Sequence, residues 1–176
     1  MSIKRLGFCL IIFVFIISIS SLSFASASAH CFGNINLSTA EECVDSAILG
    51  FDCLNYSPVY NTYGALTKEG ILNWIHNTGN GYGFSIRTSG SDECFVDSYG
   101  NAIYPSDITG NWDLVFLDFA YSGENSNFAQ AFKTVGYSNR GCISWTSSVS
   151  GSKAEDFSYY FWNVYITTRT LNAAVS

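Results

Sequence analysis

Residues 113–123 read DLVFLDFAYSG, and the uninterrupted apolar run LVFL constrains the fold more than any other stretch. An apolar run without alternation is typical of a parallel strand that is covered on both faces. Such strands occur in α/β proteins, where helices alternate with strands. The chain is therefore predicted to be α/β, a three-layer α/β/α sandwich with a mostly parallel central sheet. The strand ends on Asp118, ahead of a turn that closes at Ser122-Gly123.

Helix and turn signals divide the rest of the chain. Ser38 and Glu41 form a capping-box pattern, which predicts a helix that ends at Gly50. Strand and helix then alternate, as in a right-handed βαβ array whose functional crevice lies beyond the carboxyl ends of the strands. The predicted elements are a helix over 39–50, a helix from Thr67 closed by the loop 77–83, a strand over 84–88, a hairpin over 95–104, a strand over 114–119, a helix over 125–135, a strand over 141–146 and a helix over 155–165.

Residues 1–29 have the organisation of a secretory signal peptide. Two basic residues precede an apolar run, and small residues with an A-x-A-like spacing follow it. The run of about 14 residues is shorter than the roughly 20 that a membrane-spanning helix needs. We therefore expect cleavage near His30, a secreted or extracytoplasmic location, a single domain over residues 30–176 and no stable membrane span after cleavage.

Charge and cysteine usage narrow the function classes. The net charge is −6 and only eight residues are Lys or Arg, so the chain has no basic stripe for nucleic acid. An exported chain that keeps five cysteines is expected to form two disulfides and leave one thiol, with the pairing open. The sequence contains no C-x-x-C motif and only two histidines. We therefore expect no zinc site, no other metal site and no cofactor. The five cysteines are Cys31, Cys43, Cys53, Cys94 and Cys142.

Three acidic residues, Asp92, Glu93 and Asp97, lie close together in the sequence. They lack the alternating ligand spacing of a known calcium loop. We interpret them as a solvated surface.

Four patterns between residues 80 and 165 carry a family resemblance. A strand is followed by T-x-G-S, then by F-x-D-x-x-G-N-x-I-x-x-x-D-I, then by L-V-F-L-D-x-x-x-S-G and the segment NFAQAFKTVG. This order resembles the core of caspase-like cysteine peptidases, the group that contains gingipains and clostripain. In that family one strand ends in His-Gly, whose histidine is the general base, and a later strand ends in Asp-x-Cys, whose cysteine is the nucleophile.

The resemblance implies that both reactive residues are missing here. Ser89 occupies the histidine position, and Ala120 occupies the cysteine position. A thiolate must attack the scissile carbonyl while an imidazole handles the proton, and neither Ser nor Ala fills those roles. The scaffold of the site remains, and its residues are Gly90, Asp118, Ser122 and Gly123. The implied function is a non-catalytic binding or regulatory protein with a peptide or protein ligand.

Other interpretations of the sequence stay open. A different alignment places Gly79-Asn80-Gly81 on the His-Gly motif and requires a strand that ends over 74–78. An active secreted cysteine endopeptidase would need a relocated pair, His76 with Cys94 or Cys142. A decayed gene product without a selected role is a third possibility. Substrate preference and oligomeric state are not encoded in any single motif.

Overall fold

The computed structural model describes residues 27–77, 80–137 and 140–168, and nearly all of the predicted signal peptide lies outside that part. Within it, helices and strands alternate along most of the chain. In chain order the elements are β1 (Ala29–Asn34), α1 (Ala40–Cys53), β2 (Val59–Gly64), α2 (Lys68–Asn77), β3 (Asn80–Arg87), β4 (Ser89–Gly90), β5 (Phe95–Val96), β6 (Ala102–Ile103), a 3₁₀ turn (Pro105–Asp107), β7 (Asn111–Asp118), α3 (Asn127–Ala131), β8 (Gly141–Ser144) and α4 (Gly151–Thr168).

Five strands form one central sheet in the order β2-β1-β3-β7-β8. Every pairing in it is parallel, so all five strands end at the same edge. The three short strands β4, β5 and β6 form a separate antiparallel sheet that follows β3. The prediction of an α/β chain with a mostly parallel central sheet is confirmed.

The strand predicted from LVFL is the buried core of β7. Alternate residues of β7 belong to two different clusters of buried side chains. Val115 and Leu117 pack with residues of α2 and α3, whereas Leu114 and Phe116 pack with residues of α1 and α4. This double burial is the physical reason that the strand is apolar without alternation.

Two strands of the central sheet, β1 and β2, have no counterpart among the predicted elements. β1 contains His30, Gly33 and Asn34, yet all six of its residues are buried. β2 is an edge strand of the central sheet, and its four central residues are exposed. Neither strand has the alternation of apolar and polar residues that identifies a half-buried strand in a sequence.

Three predicted bounds, one of β3 and two of α1, need correction. Strand β3 begins at Asn80, so most of the predicted loop 77–83 is strand. Helix α1 continues past Gly50 to Cys53, and Gly50 is a packing position inside the helix, where the ring of Trp162 approaches the backbone too closely for a side chain. Thr39 rather than Ser38 precedes α1, and its side chain makes no capping hydrogen bond.

The predicted helix 125–135 is much shorter in the structure. α3 spans only Asn127–Ala131, and it ends before Lys133 and Gly136, which both have positive φ. Phe128 and Phe132 are buried as expected, but Val135 is 53% exposed. Two buried aromatic rings therefore anchor this segment without a long helical stripe.

The structure contains no disulfide among the described cysteines, and the expected pairing of two disulfides stays a prediction. Cys31, Cys43, Cys53, Cys94 and Cys142 are all free thiols. They are spread over β1, both ends of α1, the loop after β4, and β8, and export alone does not determine their geometry. Over the described ranges, no helix is long and apolar enough to cross a membrane, and no cluster of His, Cys, Asp and Glu could hold a metal ion.

Candidate functional site

The two predicted strand ends are neighbours in the central sheet. β3 pairs with β7, and the last residue of each strand, Arg87 and Asp118, lie opposite one another in the register. Ser89 follows the end of β3, and Ala120 follows the end of β7. The fold therefore brings the two positions that the resemblance singled out to one edge of the sheet.

The turn after β3 is held by its threonine. The Thr88 hydroxyl donates to the carbonyl oxygen of Val96 and accepts a hydrogen bond of 3.2 Å from the Asn34 side chain. Ser89 then pairs with Val96 as part of β4, and its side chain is exposed. The sequence predicts that Ser89 breaks the strand as a turn residue, but it begins a short antiparallel strand that turns the chain away from the central sheet.

Gly90 marks a close contact between the two strand ends. A Cβ atom at this position would lie 2.5 Å from the ring of Phe119 and 2.9 Å from the carbonyl oxygen of Cys94. No side chain fits in that space, so the close approach requires glycine. The turn after β3 thus packs directly on the turn after β7.

Gly123 has the same role on the other side of the turn after β7. A Cβ atom there would overlap the Ser144 hydroxyl oxygen. The Gly123 amide donates to the carbonyl oxygen of Trp145 over 2.8 Å, and the Tyr121 amide donates to that of Ser147 over 3.1 Å. These contacts tie the turn to the segment that follows β8.

Asp118 lies behind the two turns in a buried polar network. Its side chain is 1% exposed. One carboxylate oxygen, Oδ1, accepts hydrogen bonds from the Trp145 indole at 2.8 Å and from the Arg87 guanidinium at 3.3 Å. The other, Oδ2, lies 3.5 Å from the Ser158 hydroxyl.

Burial and charge act on Asp118 in opposite directions. Removal from water raises the pKa of the Asp118 carboxyl, whereas the Arg87 guanidinium and the hydrogen bonds from its neighbours lower it, and the net direction is upward. The same surroundings raise the pKa of the Cys43 thiol to about 12, chiefly by burial and also through the charge of Asp118. Cys43 is therefore held as a neutral thiol behind the site and is a poor nucleophile.

Ser122 is a structural clamp. Its hydroxyl donates to the carbonyl oxygen of Leu117 over 3.0 Å and accepts from the Trp145 amide over 3.0 Å. It is 2% exposed, so its oxygen is unavailable to a substrate. The sequence-based interpretation of Ser122 as a turn residue agrees with these contacts.

A cavity adjoins the turn after β7. Its volume is about 390 Å³, and it lies at the carboxyl end of β8. Trp145 and Phe157 supply apolar walls, while Ser144, Thr146 and Ser147 supply hydroxyls. Because the backbone of Tyr121 and Gly123 bonds to this segment, the cavity lies beside the chain that carries Ala120.

In the described contacts, His76 is not joined to Cys94 or to Cys142, although a catalytic pair needs the imidazole beside the thiol. The His76 ring lies at the end of α2, 2.9 Å from the backbone oxygen of Asp107. Burial raises the pKa of the Cys142 thiol to about 12, and Cys142 interacts with the side chains of Thr134 and Ser144. Cys94 lies in the loop after β4, where its carbonyl oxygen accepts from the Ser91 amide. None of these contacts joins the histidine to either thiol.

The alternative alignment on Gly79-Asn80-Gly81 also fails. It requires a strand end over 74–78, but α2 extends through Asn77. Gly79 itself lies outside the described residues. Asn80 and Gly81 begin β3 instead of following a strand.

Two of the three acidic residues between β4 and β6, Asp97 and Asp92, have structural partners. Asp97 is buried and accepts from the backbone amides of Lys68, Tyr99 and Asn101. It is therefore not part of a solvated surface, which corrects the sequence-based interpretation. Asp92 accepts from the Asn125 side chain over 3.1 Å and so connects this loop to the segment after β7.

Sequence reasoning missed the residues that hold Asp118. Arg87, Trp145 and Ser158 come from three separate parts of the chain, so no local motif contains them. One signal was available for Arg87, since a charged residue at the end of an otherwise apolar strand needs a partner when it is buried.

The chain matches no model of a known protein family, no curated protein and no solved structure. Its function is therefore inferred from the geometry of its own residues.

Proposed function

We propose that this chain is a secreted caspase-like cysteine peptidase homologue that has lost its catalytic histidine and cysteine and acts as a non-catalytic binding or regulatory protein. One observation carries the proposal, namely that the turns bearing Ser89 and Ala120 end adjacent parallel strands and touch through Gly90 and Phe119. That is the relation that a base on one strand end and a nucleophile on the next would need.

The proposal includes a three-layer α/β/α arrangement. It is supported by the two clusters that take alternate side chains from the central strands. Ile71 and Ile75 of α2 belong to one cluster, and Val44 of α1 and Phe161 of α4 belong to the other.

The chemistry of the two positions favours binding over cleavage. The Ala120 methyl group has no lone pair with which to attack a carbonyl carbon. The Ser89 hydroxyl does not titrate near neutral pH and cannot replace an imidazole as a general base. Meanwhile the surrounding scaffold is buried, hydrogen-bonded and closely packed, so the two turns keep their positions without the reactive atoms.

An extended peptide or protein segment fits this site best. The cavity of about 390 Å³ beside the turn is large enough for one side chain, and the rings of Trp145 and Phe157 favour an apolar or aromatic group. The hydroxyls of Ser144 and Ser147 are positioned to bond polar atoms of the same residue. The site has no charged side chain lining this cavity among the described residues, so we expect a neutral side chain in it.

The first test compares hydrolysis by three forms of the protein. The natural chain should not hydrolyse a set of fluorogenic peptides that covers each residue type before the reporter. The double variant Ser89→His with Ala120→Cys should hydrolyse at least one of them, and each single variant should remain inactive. Hydrolysis by the natural chain that is lost in Cys94→Ser or Cys142→Ser would contradict the proposal and favour a relocated pair.

The second test measures binding directly. Trp145 lines the cavity, so a peptide-amide library that varies one position at a time should produce a saturable change in tryptophan fluorescence for peptides with a neutral apolar residue. The change should be absent in Trp145→Phe and retained in Trp74→Phe, since Trp74 belongs to α2 and its ring packs against Phe32 of β1. If no peptide in the library alters the fluorescence, the binding role is wrong.

A further inference from the structure

The residues just before the predicted mature N-terminus are part of the folded sheet. The Ala29 amide donates to the carbonyl oxygen of Pro58 over 3.1 Å. The carbonyl oxygen of Ser28 accepts from the Gly83 amide over 3.0 Å, and that of Ala27 accepts from the Ser57 amide over 2.8 Å. These bonds hold residues 27–29 against the chain at or just before both neighbours of β1, so the backbone is already fixed at Ser28, one residue ahead of the strand.

The Ala29 side chain is also a packing element. It is fully buried in the cluster that contains Phe51. Its register partner in β3 is Gly83, where a Cβ atom would lie only 2.9 Å from the Ala29 methyl group. The glycine and the alanine are thus matched in size, and the fold uses Ala29 as a core residue.

The leader contains more than one acceptable cleavage position. Ala25, Ala27 and Ala29 alternate with other residues. A cut after any of them gives a leader that has small residues at its last and third-last positions. A cut after Ala29 would remove all of the contacts above. It would also leave the charged ammonium group on His30, whose side chain is only 8% exposed between two strands. Placing a charge at a buried position is unfavourable.

We propose that the mature protein keeps Ser28 and Ala29, because the leader is removed by hydrolysis after Ala27 or after Ala25. Water supplies the hydroxyl for the new carboxylate of the leader and the hydrogen for the new amino group, and the host's leader peptidase is the catalyst. This inference rests on the secretion that is part of the proposed function. It moves the start of the folded domain at least two residues ahead of His30.

The direct test is the N-terminus of the exported protein. The full chain is expressed in a host that exports it, and the product outside the cell is analysed by intact mass and N-terminal sequencing. The inference predicts a chain that begins at Ser28 or Ser26. A chain that begins at His30 overturns it while leaving secretion supported, whereas an unprocessed chain retained in the cell overturns both.

A second measurement tests the physical reason independently of the host. Two chains that begin at Ser28 and at His30 are released from a cleavable fusion with no extra residues, and their melting temperatures are compared. The loss of two strand hydrogen bonds and a buried methyl group should lower the melting temperature of the shorter chain by about 5 to 10 °C. Equal melting temperatures would overturn the argument that the fold requires Ala29. A chain that begins at Ser26 serves as the control, and because it adds only the hydrogen bond from the Ser57 amide to the Ala27 carbonyl oxygen, it should melt less than about 5 °C above the Ser28 chain.

Discussion

The candidate site has two parts that differ in almost every physical respect. Behind the turns, Arg87, Asp118 and Ser122 are buried and hydrogen-bonded to several elements. In front, Ser89 is exposed and Ala120 is half-buried. The buried framework of the site therefore contributes to the stability of the fold, whereas the two positions that would carry the chemistry contribute little. Substitutions in the two parts should therefore have separate consequences.

The largest effect is expected for the buried ion pair. Arg87→Met leaves the Asp118 carboxylate buried without its guanidinium partner, which should lower the free energy of unfolding by about 3 to 5 kcal/mol. Chemical denaturation measures this loss, and Lys153→Met, at an exposed position of α4, is the matched control with little change. If Arg87→Met and Lys153→Met lose the same free energy of unfolding, the buried ion pair does not stabilise the fold as described.

The pH dependence sharpens this prediction. Burial already raises the pKa of Asp118 in the folded state. Between the unfolded-state and folded-state pKa the folded chain keeps a proton that the unfolded chain has released, so stability falls as the pH rises through that range. Removal of Arg87 raises the pKa further. The loss in Arg87→Met should consequently be greatest near neutral pH and shrink in acid, and a loss that is independent of pH would contradict the assignment.

The next effect concerns the contact between the turns. In Gly90→Ala the new methyl group meets the Phe119 ring and the Cys94 carbonyl, so the variant should lose roughly 1 to 3 kcal/mol. Gly70→Ala is the control, because Gly70 is exposed on α2 and a new methyl group there meets only the Thr67 hydroxyl, so stability should change by no more than about 1 kcal/mol. Thermal denaturation of both variants measures the difference. A Gly90→Ala chain as stable as the natural one would mean that the turns do not pack as described.

An effect of about the same size is expected at Asp97, which anchors the hairpin near the site. Burial acts to raise the pKa of Asp97, but hydrogen bonds from Asn101, Lys68 and Tyr99 outweigh it and hold the pKa below its ordinary value. A carboxyl with a lowered folded-state pKa stabilises the fold above its unfolded-state value, and that contribution is lost as the pH falls through the folded-state pKa.

Asp97→Asn should therefore cost roughly 1 to 3 kcal/mol near neutral pH, and the difference from the natural chain should narrow in acid. Urea denaturation over a pH series measures the free energy of unfolding of both chains. The other carboxyls, such as Asp107, contribute equally to both, so their contributions cancel in the difference. A difference in the free energy of unfolding that grows in acid would contradict a lowered folded-state pKa for Asp97.

The smallest effect on stability is expected in the front part of the site. Ser89→His and Ala120→Cys replace side chains that make no buried polar contact in the described structure, so each should change the free energy of unfolding by no more than about 0.5 to 1 kcal/mol. Chemical denaturation of each single variant checks this. A loss as large as that of Arg87→Met would remove the distinction between framework and front.

Particular residues explain how far the sequence could be interpreted. The apolar run of β7 reveals its double burial directly, and the turn residues at 97–101 identify the hairpin between β5 and β6. β1 and β2 lack such signals because one is buried with polar residues and the other is an exposed edge. The length of α3 depends on where Lys133 and Gly136 reverse the chain, which no apolar periodicity encodes.

The candidate site was predictable only in part for the same reason. Ser89, Gly90, Asp118, Ala120, Ser122 and Gly123 lie in two short segments and could be aligned with strand-end motifs. The partners of Asp118 come from β3, from the segment after β8 and from α4, so their convergence depends on the order of strands in the sheet. The expectation of two disulfides came from the predicted compartment alone, and no disulfide joins the five described cysteines.

One measurement tests most directly whether positions 89 and 120 face a common reaction centre. The rate of alkylation at position 120 is followed against pH in Ala120→Cys and in Ala120→Cys with Ser89→His, with mass spectrometry of the peptide that contains position 120 to separate it from the natural cysteines. An imidazolium beside a thiol stabilises the thiolate, so the midpoint in the double variant should fall at least about one pH unit below that of the single variant. Identical profiles would show that the two positions do not meet, and the account of this site as a peptidase centre without its reactive pair would be wrong.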